Sequence, residues 1–171
     1  MADILPKLGA EMLVLATPLY VDGMSGSLKI FLDRSIPCLK PFFELRHGHV
    51  RHPSRRKCGR NLVLISNCGF WEMDNFDPLV QHIKAYCKNA NREFSRALLR
   101  PHGIVLRNMI QTGLALDVVE SAKEAGRQIV QEGKITDQTL KTVCRELMPI
   151  ERYLEIANHG VQLAIRHQLD L

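Results

Sequence analysis

Aromatic residues are scarce in this 171-residue chain: Phe, Trp and Tyr make up 6% of it, and Trp71 is the single tryptophan. No RNA-binding aromatic signature, zinc finger or helix–turn–helix spacing appears. Nor does any apolar run approach the ~20 residues of a membrane-spanning helix. The start, MADILPKLGAE, lacks the basic, apolar and small-residue regions of a secretory signal, so a cytoplasmic protein with no membrane partner is expected. Five cysteines, at 38, 58, 68, 87 and 144, are odd in number and unclustered. That spacing argues against a disulfide framework, and without a CxxC pair nothing supports zinc or iron–sulfur ligation. Also missing are G-x-G-x-x-G and the phosphate-binding P-loop. The stretch GMSGS misses the hydrolase elbow because Ser27 stands where its second glycine belongs.

Positive charge is unevenly spread. The net charge of +5 is concentrated in RHGHVRHPSRRKCGR, residues 46–60, and the remainder is near neutral. Two readings of this segment stay open: a solvated connecting loop, or a site for an anionic group such as a nucleotide phosphate. A nucleic-acid partner is not expected.

The remaining sequence, 46% hydrophobic, is sufficient for one domain spanning 1–171. EMLVLAT (11–17) and NLVLISN (61–67) are continuous apolar runs, as expected of parallel strands buried on both faces. A short helical end is expected over 2–8, with Gly9 as its stop. Ser25 is an N-cap candidate for a helix carrying Leu28, Phe31 and Leu32. Residues 38–60 read as irregular. A helix is expected over 77–88, a third strand near 94–99, and C-terminal helices from about 117. The first of these runs over 118–132 and is stopped by Gly133. The next is capped by Thr136 or Asp137 and runs to about 147, and the last covers about 151–168. Such alternation predicts an α/β fold with a parallel sheet, whose ligands lie beyond the carboxyl ends of the strands.

Two loops follow those strands. Pro18, Leu19, Tyr20, Val21, Asp22, Gly23, Met24 and Ser25 make up the first, with Gly23 and Gly26 permitting close backbone approach and the amides near Ser25 favouring an anion. The second holds Asn67, Cys68, Gly69, Phe70 and Trp71. A planar, polar-edged aromatic ligand suits such walls; ordinary strand–helix punctuation explains the same residues equally well.

TPLYVDGMSGSLKIFLDR, residues 17–34, resembles a segment of the NADPH-dependent FMN reductase family of flavodoxin-like flavoproteins. Thr17, Pro18, Tyr20, Ser25, Leu28, Lys29, Phe31, Asp33 and Arg34 carry the likeness. LISNCGFWE (64–72) and LLRPHG (98–103) are similar to later segments, so the resemblance covers roughly 3–105. It implies a flavodoxin-like three-layer αβα sandwich, FMN as cofactor and NAD(P)H as co-substrate, and hydride transfer to an acceptor. By this likeness Thr17–Met24 would line the isoalloxazine ring, with Asn67, Cys68, Gly69 and Phe70 opposite. No catalytic residue is implied, because the chemistry belongs to the cofactor. The family's first strand, phosphate loop, first helix and second strand have no counterpart here, so an N-terminally truncated fold is expected. It would have EMLVLAT as a sheet edge, weak flavin binding, and a homo-oligomer covering the exposed surface. The rival expectation is a non-enzymatic flavodoxin-like fragment serving in assembly.

Overall fold

The computed structural model describes residues 8–55, 59 and 61–169. The expected helical end over 2–8 and Cys58 therefore lie outside the described residues, apart from Leu8. The chain forms two compact units. The first comprises Met1–Ser66 and Met73–Leu99, the second Asn67–Glu72 and Arg100–Leu171.

The first unit holds an α/β arrangement: β1 (Met12–Tyr20), β2 (Gly23–Met24), α1 (Gly26–Asp33), β3 (Glu44–Arg46), β4 (His49–Arg51), β5 (Asn61–Asn67), α2 (Asp77–Ala90) and β6 (Glu93–Arg100). The ends of β5 and β6 carry over into the second unit. The main sheet is mostly parallel with order β2-β1-β5-β6. Only the short β2 is antiparallel, pairing Leu19 with Met24 and Tyr20 with Gly23. As expected, β1 and β5 are neighbours; α1 lies between them in sequence, and α2 lies between β5 and β6.

Two local expectations are corrected. The strand β1 does not stop at Thr17 but runs on through Pro18, Leu19 and Tyr20. Pro18 is compatible with this because β1 has no partner strand on its outer side except at its last two residues, among the described residues, and an edge strand tolerates the missing N–H. Nor is β1 buried on both faces. Leu15, Thr17 and Leu19 are buried, while Val14, Ala16 and Tyr20 alternate with them and are exposed. An apolar run marks a strand, but whether its second face is covered depends on neighbours that periodicity does not reveal.

Residues 38–60 are also more ordered than expected. The strands β3 and β4 form a separate antiparallel hairpin with Arg46 opposite His49. His47 and Gly48 close it with φ of 51° and 76°, positive at both central positions as a type I′ turn requires. The Leu39–Ser54 bridge and the Lys40 N–H donating to Pro53 O (2.8 Å) extend its base. Arg46 Nη2 donates to Asn89 O at 2.8 Å, tying the hairpin to the end of α2. Of the basic stretch, Arg56, Lys57 and Arg60 lie outside the described residues.

The helix α2 begins with Pro78 in its first turn and ends at Asn91, whose left-handed φ of 54° lets its N–H reach Cys87 O. Its buried side is Leu79, Ile83 and Cys87. Phe76, in the turn ahead of it, is fully buried, as are Leu62 and Leu64 of β5.

The second unit is helical: α3 (Leu106–Gln111), α4 (Leu116–Gln131), α5 (Asp137–Cys144) and α6 (Ile150–Leu169). Gly133, at φ 70°, follows the end of α4. Thr136 caps α5 through Thr139 N, while the buried Gln128 of α4 accepts from Thr136 N at 3.0 Å. Val105, Ala115, Val118, Leu147 and Tyr153 form its core, with Trp71, Leu106, Met109, Ile110 and Met148 packed against them. In α6, Ile150, Tyr153, Leu154, Ala157, Val161, Ala164 and Ile165 share one side at helical spacing. Tyr153 is buried, but Leu154, Val161 and Ile165 are 53%, 59% and 51% exposed.

Candidate functional site

The expected ring-binding residues are divided between the units. Thr17, Pro18, Leu19, Tyr20, Val21, Asp22, Gly23, Met24 and Ser25 belong to the first, and Asn67, Cys68, Gly69 and Phe70 to the second.

In the first unit, β1 and β2 form a two-residue hairpin at the carboxyl end of β1. The buried Thr17 holds its base: Oγ1 accepts from Ser25 N at 2.9 Å and donates to Pro18 O at 2.9 Å. The Ser25 side chain then accepts from Leu28 N at 3.4 Å, capping α1 as expected. Ser25 N and Leu28 N are thereby paired, which narrows the amides near Ser25 left for a ligand to those of Gly26 and Ser27. The glycines are also not where freedom is needed. A Cβ on Gly23 would make only ordinary contacts, and one on Gly26 would meet nothing within 4 Å. Positive φ falls instead on Val21 (47°) and Asp22 (58°). For a β-branched residue that conformation is a true outlier, costing on the order of 1–3 kcal/mol. Val21 is 99% exposed and Tyr20 62%, so a strained turn presents an apolar side chain and a phenol ring to solvent.

In the second unit, loop 67–72 is tied down by chain that follows β6. Cys68 N donates to Arg100 O (3.1 Å), His102 N to Phe70 O (2.7 Å) and Gly103 N to Cys68 O (2.8 Å). Tyr153 Oη donates to Gly69 O. A Cβ on Gly103 would come within 3.3 Å of Asn67 Nδ2 and Cys68 O, so a larger residue there would push the two segments apart by a few tenths of an ångström. Asn67, Gly69 and Phe70 are exposed. Cys68 is buried, its Sγ directed at Phe70 O (3.5 Å), and burial raises its thiol pKa above the ordinary 9.0. It is a packed thiol, not an activated one. Trp71 is half-buried: it stacks on His102 with ring centroids 4.3 Å apart and packs against the core.

Under that stack lies a polar cluster that sequence reasoning missed. Arg100, 6% exposed, donates to Pro101 O (2.8 Å), Val143 O (2.7 Å) and Arg145 O (2.6 Å). Burial lowers its pKa to about 10, yet it stays cationic at neutral pH. Its Nη2 also lies 2.8 Å from Nε2 of His102, which accepts from Leu147 N at 3.2 Å. These roles assign the neutral imidazole with its proton on Nδ1, and that atom is buried without a hydrogen-bond partner among the described residues. Burial first, then the Arg100 charge, lower the His102 pKa from 6.5. Outside the cluster, Arg145 forms a two-pronged ion pair with Asp117 (2.6 and 2.7 Å), which holds that carboxyl below its usual value. The sequence sign available was a pair of ionisable residues, Arg100 and His102, directly after an apolar strand. The cluster's chemistry is positional, for Arg100 fixes three backbone carbonyls besides facing His102.

Among the described residues no group of three or more His, Cys, Asp or Glu could hold a metal, and no helix is long and apolar enough to cross a membrane. No family model matches the chain, and no curated protein matches it either.

Proposed function

We propose that this chain is a flavodoxin-like relative of the NAD(P)H-dependent FMN reductases, and that the Tyr20–Asp22 turn receives the flavin ring. The observation that carries the reading is the strained, exposed Val21 at the carboxyl end of β1. Strain at an exposed turn is retained where a conformation serves binding, and the carboxyl ends of parallel strands are where α/β sheets take ligands. The order β1-β5-β6, with sequential strands adjacent, also agrees with the 3-4-5 part of the flavodoxin order 2-1-3-4-5.

The turn fits the ring portion of the cofactor. Tyr20 and Val21 offer apolar surface, and Thr17 holds the turn's base by bonding both Pro18 O and Ser25 N. When bound, flavin supplies hydride transfer from a nicotinamide to an acceptor. The chain's part is to position the ring and shield it from water. Two of the amides at the start of α1, Ser25 N and Leu28 N, are already occupied, which reduces the donors left for a phosphate. That observation favours the second reading, a fragment serving in assembly that binds flavin weakly. Titration of the chain with FMN, followed by quenching of flavin fluorescence, tests both. The first reading expects saturable, micromolar binding that Tyr20→Ala weakens, together with NAD(P)H oxidation. Absence of saturable binding would leave assembly.

A second copy of the chain is proposed as the occupant of the apolar side of α6. That side carries no charged residue, so like charges do not oppose self-pairing. The polar side balances Glu151 and Glu155 against Arg152 and Arg166, unlike the Lys/Arg-rich face of helices that lie on lipid.

A further inference from the structure

We infer that the cleft between the β3–β4 hairpin and the carboxyl end of α2 binds a small molecule carrying a diphosphate or an equivalent pair of phosphate charges. The cleft has a volume of about 470 Å³ and lies wholly within the first unit. Arg46, His47, His49 and Arg51 of the hairpin line it on one side, and Lys88 and Arg92 on the other. The volume falls in the range of small-molecule sites, about 300–1,000 Å³.

Charge selects the ligand class. Four permanent cations, Arg46, Arg51, Lys88 and Arg92, line the cleft with one carboxylate, Glu93, and Arg46 also pairs with Glu44 at 3.4 Å, which leaves two positive charges uncompensated. Among the described residues, Arg51, Lys88 and Arg92 have no carboxylate partner. A monocarboxylate would leave half of that excess uncompensated, whereas a diphosphate carries a matching charge. The nearby helix end disfavours anions, because its carbonyls bear partial negative charge. Arg46 offsets this by donating to Asn89 O, and the Asn91 and Arg92 N–H groups both donate to Cys87 O.

The lining side chains divide into two sets. Arg46 and Arg92 are anchored, Arg92 through Gly59 O (2.7 Å) and Leu8 O, and they form a fixed positive floor. His47, His49 and Lys88 are exposed, and their side chains make no hydrogen bond to the described residues. They are the groups left to contact an anion. His47 is aimed by the type I′ turn, whose positive φ places it at the hairpin tip. The inference does not depend on the flavin reading, since the cleft needs only phosphate charge.

The test is calorimetric titration of the full chain with inorganic pyrophosphate at low salt. Saturable binding is expected, weakened at least about tenfold by Lys88→Ala and by the His47→Ala/His49→Ala pair, because charge-assisted contacts are the strong ones. Lys134→Ala removes an exposed cation outside the cleft and should change the affinity less than about twofold. Among the described residues the Lys88 side chain has no hydrogen-bond or ion-pair partner, so its variant should keep the parent's melting temperature and carries the test if the histidine pair fails to fold. No saturable binding, or equal weakening by Lys134→Ala, would overturn the inference. So would displacement of pyrophosphate by a single-stranded oligonucleotide that binds more tightly with a steep salt dependence, which would assign the surface to nucleic acid.

Discussion

Acidification should destabilise the second unit through a single imidazole. His102 is 1% exposed, accepts from Leu147 N, and faces the Arg100 guanidinium at 2.8 Å. A proton on Nε2 would remove that acceptor and set two cations at hydrogen-bond distance, which is why burial and Arg100 hold its pKa below 6.5. As pH falls through 6.5 the unfolded chain takes up a proton that the folded chain excludes. The stabilisation is therefore fully present above 6.5 and is lost below it, at about 1.4 kcal/mol per pH unit, until the folded imidazole titrates. Asp117 belongs to a lower window, its contribution being present above 3.8 and lost as pH falls through its depressed folded value. The assay is urea unfolding at about pH 6.5 and about pH 5.5, followed by the fluorescence of Trp71, the only tryptophan, stacked on His102. His102→Gln keeps an acceptor but cannot titrate, and the chain's other histidines contribute equally to both proteins. The parent should lose more stability than His102→Gln over that interval, by up to about 1 kcal/mol. Equal losses would refute the reasoning.

Val21→Gly should raise the melting temperature by relieving positive-φ strain while weakening FMN; a rise in both, or a fall in stability, would separate the turn's strain from binding. Arg100→Leu strands the carbonyls of Val143 and Arg145, and should cost about 2–5 kcal/mol in urea titration; a loss under about 1 kcal/mol would mean that they find other donors. Tyr153→Phe deletes the donor to Gly69 O and should speed amide exchange over 67–71, with unchanged exchange counting against the tie. Val161→Glu, on the uncovered side of α6, should shift light scattering from dimer to monomer, and a monomeric parent would remove the proposed self-pairing.

Much of the scaffold was legible because its signals were local. Asn61–Asn67 is a strand as its apolar run implies, Ser25 and Thr136 cap helices, and Gly133 follows the end of α4. The hairpin was hidden because His47–Gly48 is not the Asn–Gly or Asp–Gly pair that announces a type I′ turn. At the site, the exposed Tyr20, Val21 and Phe70 were named from sequence, but Cys68 and Trp71 turned inward. Their partners, His102 and Tyr153, come from distant segments, so no window around residue 68 contains the reason. Arg100 escaped for a related cause: a buried guanidinium is satisfied by carbonyls that have no sequence signature.

The second unit is assembled from pieces made at different times. Loop 67–72 leaves the ribosome well before the segment that secures it, and Gly69 and its donor Tyr153 are 84 residues apart. At ~5–20 residues per second of synthesis, that separation is a wait of roughly 4–17 s. During this interval β5 and α2 already exist, yet Trp71 lacks first His102 and then Tyr153 to pack against. The nascent chain therefore carries Trp71 for seconds without the rings it stacks against in the finished fold. Its rescue waits on the last helix, so ribosomes that stop short of residue 150 release a chain whose first unit is written in full and whose second cannot close.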